Sequence, residues 1–85
     1  MASSRIEVYT TDPCGWCRRA KQMLADRGLA FNEIDVRDDD ARREWLIEAT
    51  GGRRTLPQIF VDGRSIGGYE DLASLLRSGG LAAAP

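Results

Sequence analysis

Apolar and polar residues alternate from Arg5 to Thr10, "RIEVYT", where β-branched and aromatic side chains predict a strand. The period then changes. From Gly15 to Arg27 the apolar residues Ala20, Met23 and Leu24 fall three and four apart among Arg18, Arg19, Lys21 and Gln22, which predicts a helix with Gly28 placed to end it. Alternation returns over Phe31 to Val36, "FNEIDV", as a second strand. Asp38, Asp39 and Asp40 precede a second helical stretch, "ARREWLIEAT". There acidic groups suit the positive helix start, Gly51 follows the end, and Trp45, Leu46 and Ala49 form the expected core face. The segment "PQIFVDGRSI" reads as a hairpin whose Asp62-Gly63 turn suits type I′. A last helix, "YEDLASLLRS", carries Leu72, Leu75 and Leu76 on one face and stops at Gly79.

The predicted order is β-α-β-α-β-β-α. A right-handed crossover makes the first two strands parallel and the tight hairpin makes the last two antiparallel, so the expected fold is α/β with a mixed sheet and helices on both faces. With 85 residues and no linker or repeat, the chain is expected to form a single domain over 1–85, with frayed tails at 1–4 and 81–85. Hydrophobic residues at 42% and charged residues at 29% give a globular balance, and no apolar run approaches the roughly 18 residues that span a bilayer. The opening "MASSR" lacks the apolar core of a signal peptide, so a cytoplasmic location is expected. A net charge of −1, with basic residues scattered among acidic ones, argues against nucleic acid and for small molecules or proteins as partners.

The two cysteines, Cys14 and Cys17, then narrow the chemistry. A bridge between near neighbours closes almost no loop and stabilises little, so a structural staple is the poorer reading. Structural zinc takes four Cys or His ligands, and with two Cys and no His a complete site would need more than one chain. What remains is a pair made and broken in the strand-helix-strand context of a cytosolic redox motif.

Four segments in order carry a resemblance over nearly the whole chain: "EVYT" leading to "CGWC" and "RRAKQML", then "GGRRTLPQIFVDG", then "IGGYEDL", and "GGL" near the end. Together they resemble a small bacterial-type dithiol glutaredoxin with the thioredoxin fold. The resemblance implies a four-stranded sheet in the order second, first, third, fourth, and glutathione-dependent thiol-disulfide exchange. The residues support the chemistry separately. If the helix starts at the motif, Cys14 is its N-cap and Cys17 lies one turn on, so both sulfurs share a face. Free N–H groups and the positive helix end favour a Cys14 thiolate, with a pKa below the free value of about 8.5. Cys14 is therefore the expected nucleophile and the more hidden Cys17 the resolving thiol.

The resemblance extends to binding residues. It implies a cis bond before Pro57, a Leu56 backbone that pairs with the cysteine part of glutathione, and Thr55 and Trp16 lining the groove. Gly67 and Gly68 lead into a helix start whose free N–H groups suit a γ-glutamyl carboxylate. The resemblance places Gly68, Tyr69, Glu70 and Asp71 there, with Asp71 receiving the ammonium group. Arg43 is a candidate for the glycine carboxylate and equally a surface arginine. Gly15 and Trp16 stand where many relatives have proline and tyrosine, and Thr11 where many have lysine, while Asp12 adds a negative charge. Arg18, Arg19 and Lys21 offer compensation or form a solvated helix face. The activity implied is reduction of protein-glutathione mixed disulfides and protein disulfides by a monomer. The alternative is a dimeric carrier of a [2Fe-2S] cluster held by Cys14 and glutathione, motivated by Gly15. "DDD" reads as a helix entry, not a metal site.

Overall fold

A computed structural model describes residues 4–81. The first alternating segment forms β1 (Ile6–Thr10), followed by α1 (Gly15–Asp26), β2 (Asn32–Asp35), α2 (Asp40–Ala49), β3 (Gln58–Val61), β4 (Arg64–Gly67) and α3 (Tyr69–Arg77). The sheet order is β2-β1-β3-β4. β1 runs parallel to β2 from Glu7 opposite Asn32 to Thr10 opposite Asp35, and antiparallel to β3 from Ile6 opposite Val61 to Tyr9 opposite Gln58. The β3-β4 hairpin turns through Asp62 and Gly63, both at positive φ (52° and 83°), the type I′ signature that matches the twist of the strands.

Alternation along the strands sends side chains to two separate cores. Ile6, Val8 and Ile59 pack with Ala20 and Leu24 of α1 and with Leu72 and Leu76 of α3. Burial of each valine, leucine or isoleucine among them favours folding by about 1.5–3 kcal/mol before entropy is counted. On the opposite face Tyr9 and Phe60 meet Val36 and Leu46 of α2. Helices therefore cover both faces, as the periodicity predicted. Two expectations fail. Trp45 is 48% exposed and Ala49 is exposed, so α2 buries only Leu46 completely; the Trp45 ring lies across Phe60 and Tyr9 with one side open to water. Leu81, expected within a fraying tail, is 6% exposed and belongs to the α1-α3 core, because an apolar residue after the α3 stop falls back onto that face. Residues 1–3 and 82–85 of the expected tails lie outside the described residues.

The topology gathers one edge of the sheet. β1 leads at its C-terminal end into the cysteine loop. β3 runs the other way, so its first residue, Gln58, pairs with Tyr9 and places Pro57 at that same end. β4 reverses again, with Gly67 opposite Ile59, and delivers the start of α3 there too.

Candidate active site

Cys14 is the N-cap of α1, in extended conformation (φ −158°, ψ 103°), and its Sγ accepts the Cys17 backbone N–H at 3.1 Å. The two cysteines form a disulfide, with Cα atoms 5.3 Å apart across the first turn. Their accessibility differs: Cys17 is 1% exposed, whereas Cys14 reaches the surface. Only Cys14 can meet a large disulfide. No acidic residue occupies the first turn of α1, so after reduction the helix end and the Cys17 N–H act on a Cys14 thiolate unopposed from that turn.

The nearby charges are mostly committed elsewhere. Asp12 pairs with Arg37 at 3.4 Å, which offsets the negative charge beside the cysteine loop. The Arg19 guanidinium lies 5.0 Å from the centre of the Trp16 ring. Lys21 donates to Glu33 Oε2 at 2.9 Å, and the Thr10 hydroxyl donates to the same oxygen at 2.9 Å. The Lys21 bond, with that of Thr10, holds the Glu33 carboxyl below its ordinary range against the opposing effect of burial. Arg18 is exposed. Arg19 and Lys21 thus serve the helix face rather than Cys14.

Opposite the cysteines, the Leu56-Pro57 bond is cis, as the resemblance implied; Asp12-Pro13 is cis as well, which the sequence did not indicate. The Leu56 carbonyl oxygen lies 3.9 Å from Cys14 Sγ. Gln58, fully buried, donates from Nε2 to the Thr55 carbonyl at 3.0 Å and to its Oγ1 at 3.3 Å, which anchors the loop before Pro57. From there a groove of about 300 Å³ runs toward α3. Trp16 and Tyr69 form its aromatic wall, with ring centres 5.1 Å apart, and Thr55, Leu56 and Pro57 form its floor. Gly68, Glu70, Asp71 and Arg53 close the far end.

That end is shaped by backbone. Gly68 is the N-cap of α3 and has no side chain to bond the first-turn N–H groups. Its own N–H donates to Asp71 Oδ2 at 3.0 Å. Gly67 sits at φ 111°, and a Cβ there would come within 2.6 Å of Asp71 Cγ, so only glycine fits. Arg53 Nη1 bonds Asp71 Oδ2 at 3.3 Å. The structure thus brings Trp16, Thr55, Leu56, Pro57, Gly68, Tyr69, Glu70 and Asp71 into one groove beside Cys14, and leaves Arg43, on α2, outside its lining. Sequence reasoning missed Arg53 and Gln58. The available signal for Arg53 was its place in "GGRRT", two residues before Thr55.

A nucleophilic sulfur, a backbone edge and an uncapped helix start in one line suit disulfide exchange with a short peptide ending in a carboxylate. Among the described residues no group of three or more His, Cys, Asp or Glu is arranged as a metal site. Asp39 of the "DDD" run caps α2 by accepting the Arg42 N–H at 3.0 Å.

Residues 6–66 match the glutaredoxin family model. Glutaredoxin 3 of Escherichia coli K12 is 42% identical over 78 residues, covering 92% of this chain and 93% of that protein. A probable glutaredoxin of Synechocystis sp. is 39% identical, covering 93% of this chain and 90% of that protein. Among solved structures, the buckwheat glutaredoxin-glutathione complex superposes with a TM-score of 0.83 at 30% identity, over 92% of this chain and 73% of that one. The solution structure of glutaredoxin from Brucella melitensis superposes with a TM-score of 0.80 at 38% identity, over 93% of this chain and 85% of that one.

Proposed function

Because the chain belongs to the glutaredoxin family of thiol-disulfide oxidoreductases, we propose that it uses glutathione to reduce protein-glutathione mixed disulfides and protein disulfides. The observation that carries this reading is the groove beside Cys14, whose Sγ lies 3.9 Å from the Leu56 carbonyl oxygen of the groove floor, and which ends at the uncapped start of α3. Its volume of about 300 Å³ and its lining suit a tripeptide whose cysteine pairs with the Leu56 backbone and whose γ-glutamyl end meets Asp71 and the helix N–H groups. The likeness to a glutaredoxin-glutathione complex supports the same ligand.

In the reaction, the Cys14 thiolate attacks the glutathione sulfur of a mixed disulfide. A bond forms between Cys14 Sγ and glutathione, and the protein sulfur leaves as a thiolate. A second glutathione thiolate then attacks the bound glutathione sulfur, which releases glutathione disulfide and restores Cys14. For a protein disulfide, the Cys14 thiolate attacks one substrate sulfur, the substrate S–S bond breaks, and the other substrate sulfur leaves as the first thiolate. The Cys17 thiolate then attacks Cys14 Sγ, expels the second substrate thiolate and leaves the Cys14-Cys17 disulfide seen here. Two glutathiones return that disulfide to two thiols and leave joined as glutathione disulfide. One chain suffices, in a reducing compartment such as the cytoplasm. The cluster-carrier alternative rests on Gly15 alone, whereas the reductase reading has the cysteine pair and the groove beside it.

Replacing each cysteine tests the roles. Cys14→Ser is expected to abolish turnover of glutathione mixed disulfides, with a loss of at least about a thousandfold, as for other removed nucleophiles. Cys17→Ser is expected to keep that turnover and lose reduction of protein disulfides. Comparable losses from both changes on small mixed disulfides would overturn the assignment.

A further inference from the structure

We propose that Arg53 is a specificity-determining residue of the groove, which together with Asp71 reads the zwitterionic amino-acid end of the ligand; the inference rests on the glutathione reading. Its first support is position. Arg53 follows Gly51 and Gly52, both at positive φ (75° and 100°), and this turn carries the side chain back across the groove to residues 67–71. A Cβ on Gly67 would lie 2.8 Å from Arg53 Nη1, and one on Gly68 would lie 3.7 Å from Nη2. The guanidinium therefore lies along the two glycines at the start of α3, where the helix leaves its N–H groups without a side-chain cap.

The second support is the bonding of Asp71. The Gly68 N–H and Arg53 Nη1 both use Oδ2, at 3.0 and 3.3 Å. Among the described residues Oδ1 has no hydrogen bond, so it remains as an acceptor. An amino-acid end carries an ammonium and a carboxylate on one carbon. The ammonium matches Oδ1, and the carboxylate matches the unused donors of Arg53 together with the N–H groups of α3. Neither charge need be left unanswered.

The pair has little other purpose. Arg53 and Asp71 are 45% and 50% exposed, and an ion pair in such a place contributes almost nothing to folding. Its effect on a ligand is larger, because Arg53 offsets the Asp71 charge and so weakens the pull on a ligand that brings an ammonium alone. Rejection of the wrong ligand is part of specificity. Asp71 alone would accept any cation of suitable length; Asp71 with Arg53 favours one whose positive charge comes with a carboxylate.

The test compares three disulfides, each joining a fluorescent reporter thiol to a tripeptide. One tripeptide is glutathione. The second is 4-aminobutanoyl-Cys-Gly, which lacks the α-carboxylate, and the third is glutaryl-Cys-Gly, which lacks the ammonium. Second-order rate constants are measured by stopped-flow release of the reporter from the pre-reduced Cys17→Ser protein, with Arg53→Gln and Asp71→Asn added separately. Arg53→Gln is expected to lower the ratio of glutathione to 4-aminobutanoyl rates by roughly fivefold to tenfold, the scale of one partly solvated charge-assisted bond. Asp71→Asn is expected to lower the ratio of glutathione to glutaryl rates instead. Because each variant is compared with itself, a general loss of folding or reactivity leaves the ratios unmoved. A glutathione to 4-aminobutanoyl ratio that Arg53→Gln does not change would overturn the inference. A parent protein that reacts no faster with the glutathione disulfide than with the reporter's 2-mercaptoethanol disulfide would overturn the glutathione reading itself.

Discussion

The groove beside Cys14 and the cavity against α2 resemble each other more than their chemistry suggests. Each has an aromatic wall, Trp16 with Tyr69 in one and Tyr9 with Trp45 in the other. Each holds an arginine-aspartate pair, Arg53 with Asp71 at 3.3 Å and Arg42 with Asp39 at 3.5 Å. Each lies at a helix N-terminus, and the α2 cavity is the larger, about 420 Å³ against about 300 Å³. The difference lies in what those helix starts leave unbonded. Asp39 turns its own carboxylate onto the Arg42 N–H, so α2 supplies its own anion. At α3 the N-cap is Gly68, which has none to supply, and the first-turn residue Asp71 bonds the Gly68 N–H, so no side chain caps the first-turn N–H groups. A ligand carboxylate has a place at α3 and a rival at α2. The α2 cavity also has no cysteine in its lining, and burial, together with the nearby Glu7 charge, raises the Tyr9 phenol above its ordinary pKa. Volume alone does not identify a site.

The comparison breaks if α3 can be made to resemble α2. Gly68 has φ −97°, which any residue adopts, and a Cβ there meets only the Pro57 carbonyl at 3.4 Å and Arg53. Gly68→Asp should therefore supply α3 with its own anion, as Asp39 does for α2. The expected result is an apparent KM for glutathione raised about tenfold by the competing charge, with stability within about 0.5 kcal/mol of the parent by denaturant unfolding. An unchanged KM would mean that the α3 start does not hold the ligand.

The reverse change is expected to move stability and spare the reaction. Asp39→Ala removes the α2 cap and should cost about 1 kcal/mol, or roughly 5 °C in Tm, because it exposes first-turn N–H groups without a partner. The rate with glutathione mixed disulfides should stay at the parent value. A matching loss of rate would give the α2 cavity a part in the reaction.

The smallest effect belongs to the support beneath both regions, where Lys21 on α1 meets Glu33 on β2. The folded Glu33 pKa is lowered, so its contribution is present above the ordinary value of 4.5 and is lost as pH falls through the lower folded value. The Glu33 side chain is 39% exposed and the contribution is correspondingly screened. Glu33→Gln should destabilise by no more than about 0.5 kcal/mol at pH 7, with the difference vanishing in acid. A difference that grows in acid would contradict that sign.

Much of this architecture was legible before any coordinates. The change between alternation and helical spacing marked β1, α1, β2 and α3, the acidic entry and Gly51 bounded α2, and Asp62-Gly63 marked the hairpin, because these signals are local. Cys14 and Cys17 were legible as a pair for the same reason: three residues make one helical turn. What was not legible depends on how distant segments meet. Arg53 reaches Asp71, eighteen residues away in sequence, through the conformation of Gly51 and Gly52. Arg43 has the same charge on a better-defined helix and does not line the groove. Trp45 shares a helical face with Leu46, but periodicity names a face without saying how much of it the sheet can cover. Leu81 shows the converse, an apolar residue in a small-residue tail that finds the α1-α3 core.

The central claim is that the groove selects the glutathione half of a disulfide for Cys14, and the most direct measurement is which half the protein keeps. Reduced Cys17→Ser protein is mixed with one equivalent of a glutathionylated protein and quenched with acid within one turnover, and the adduct is mapped by mass spectrometry. The account predicts glutathione on Cys14, with the substrate protein released as its thiol. Substrate protein retained on Cys14, or no preference between the two halves, would contradict it.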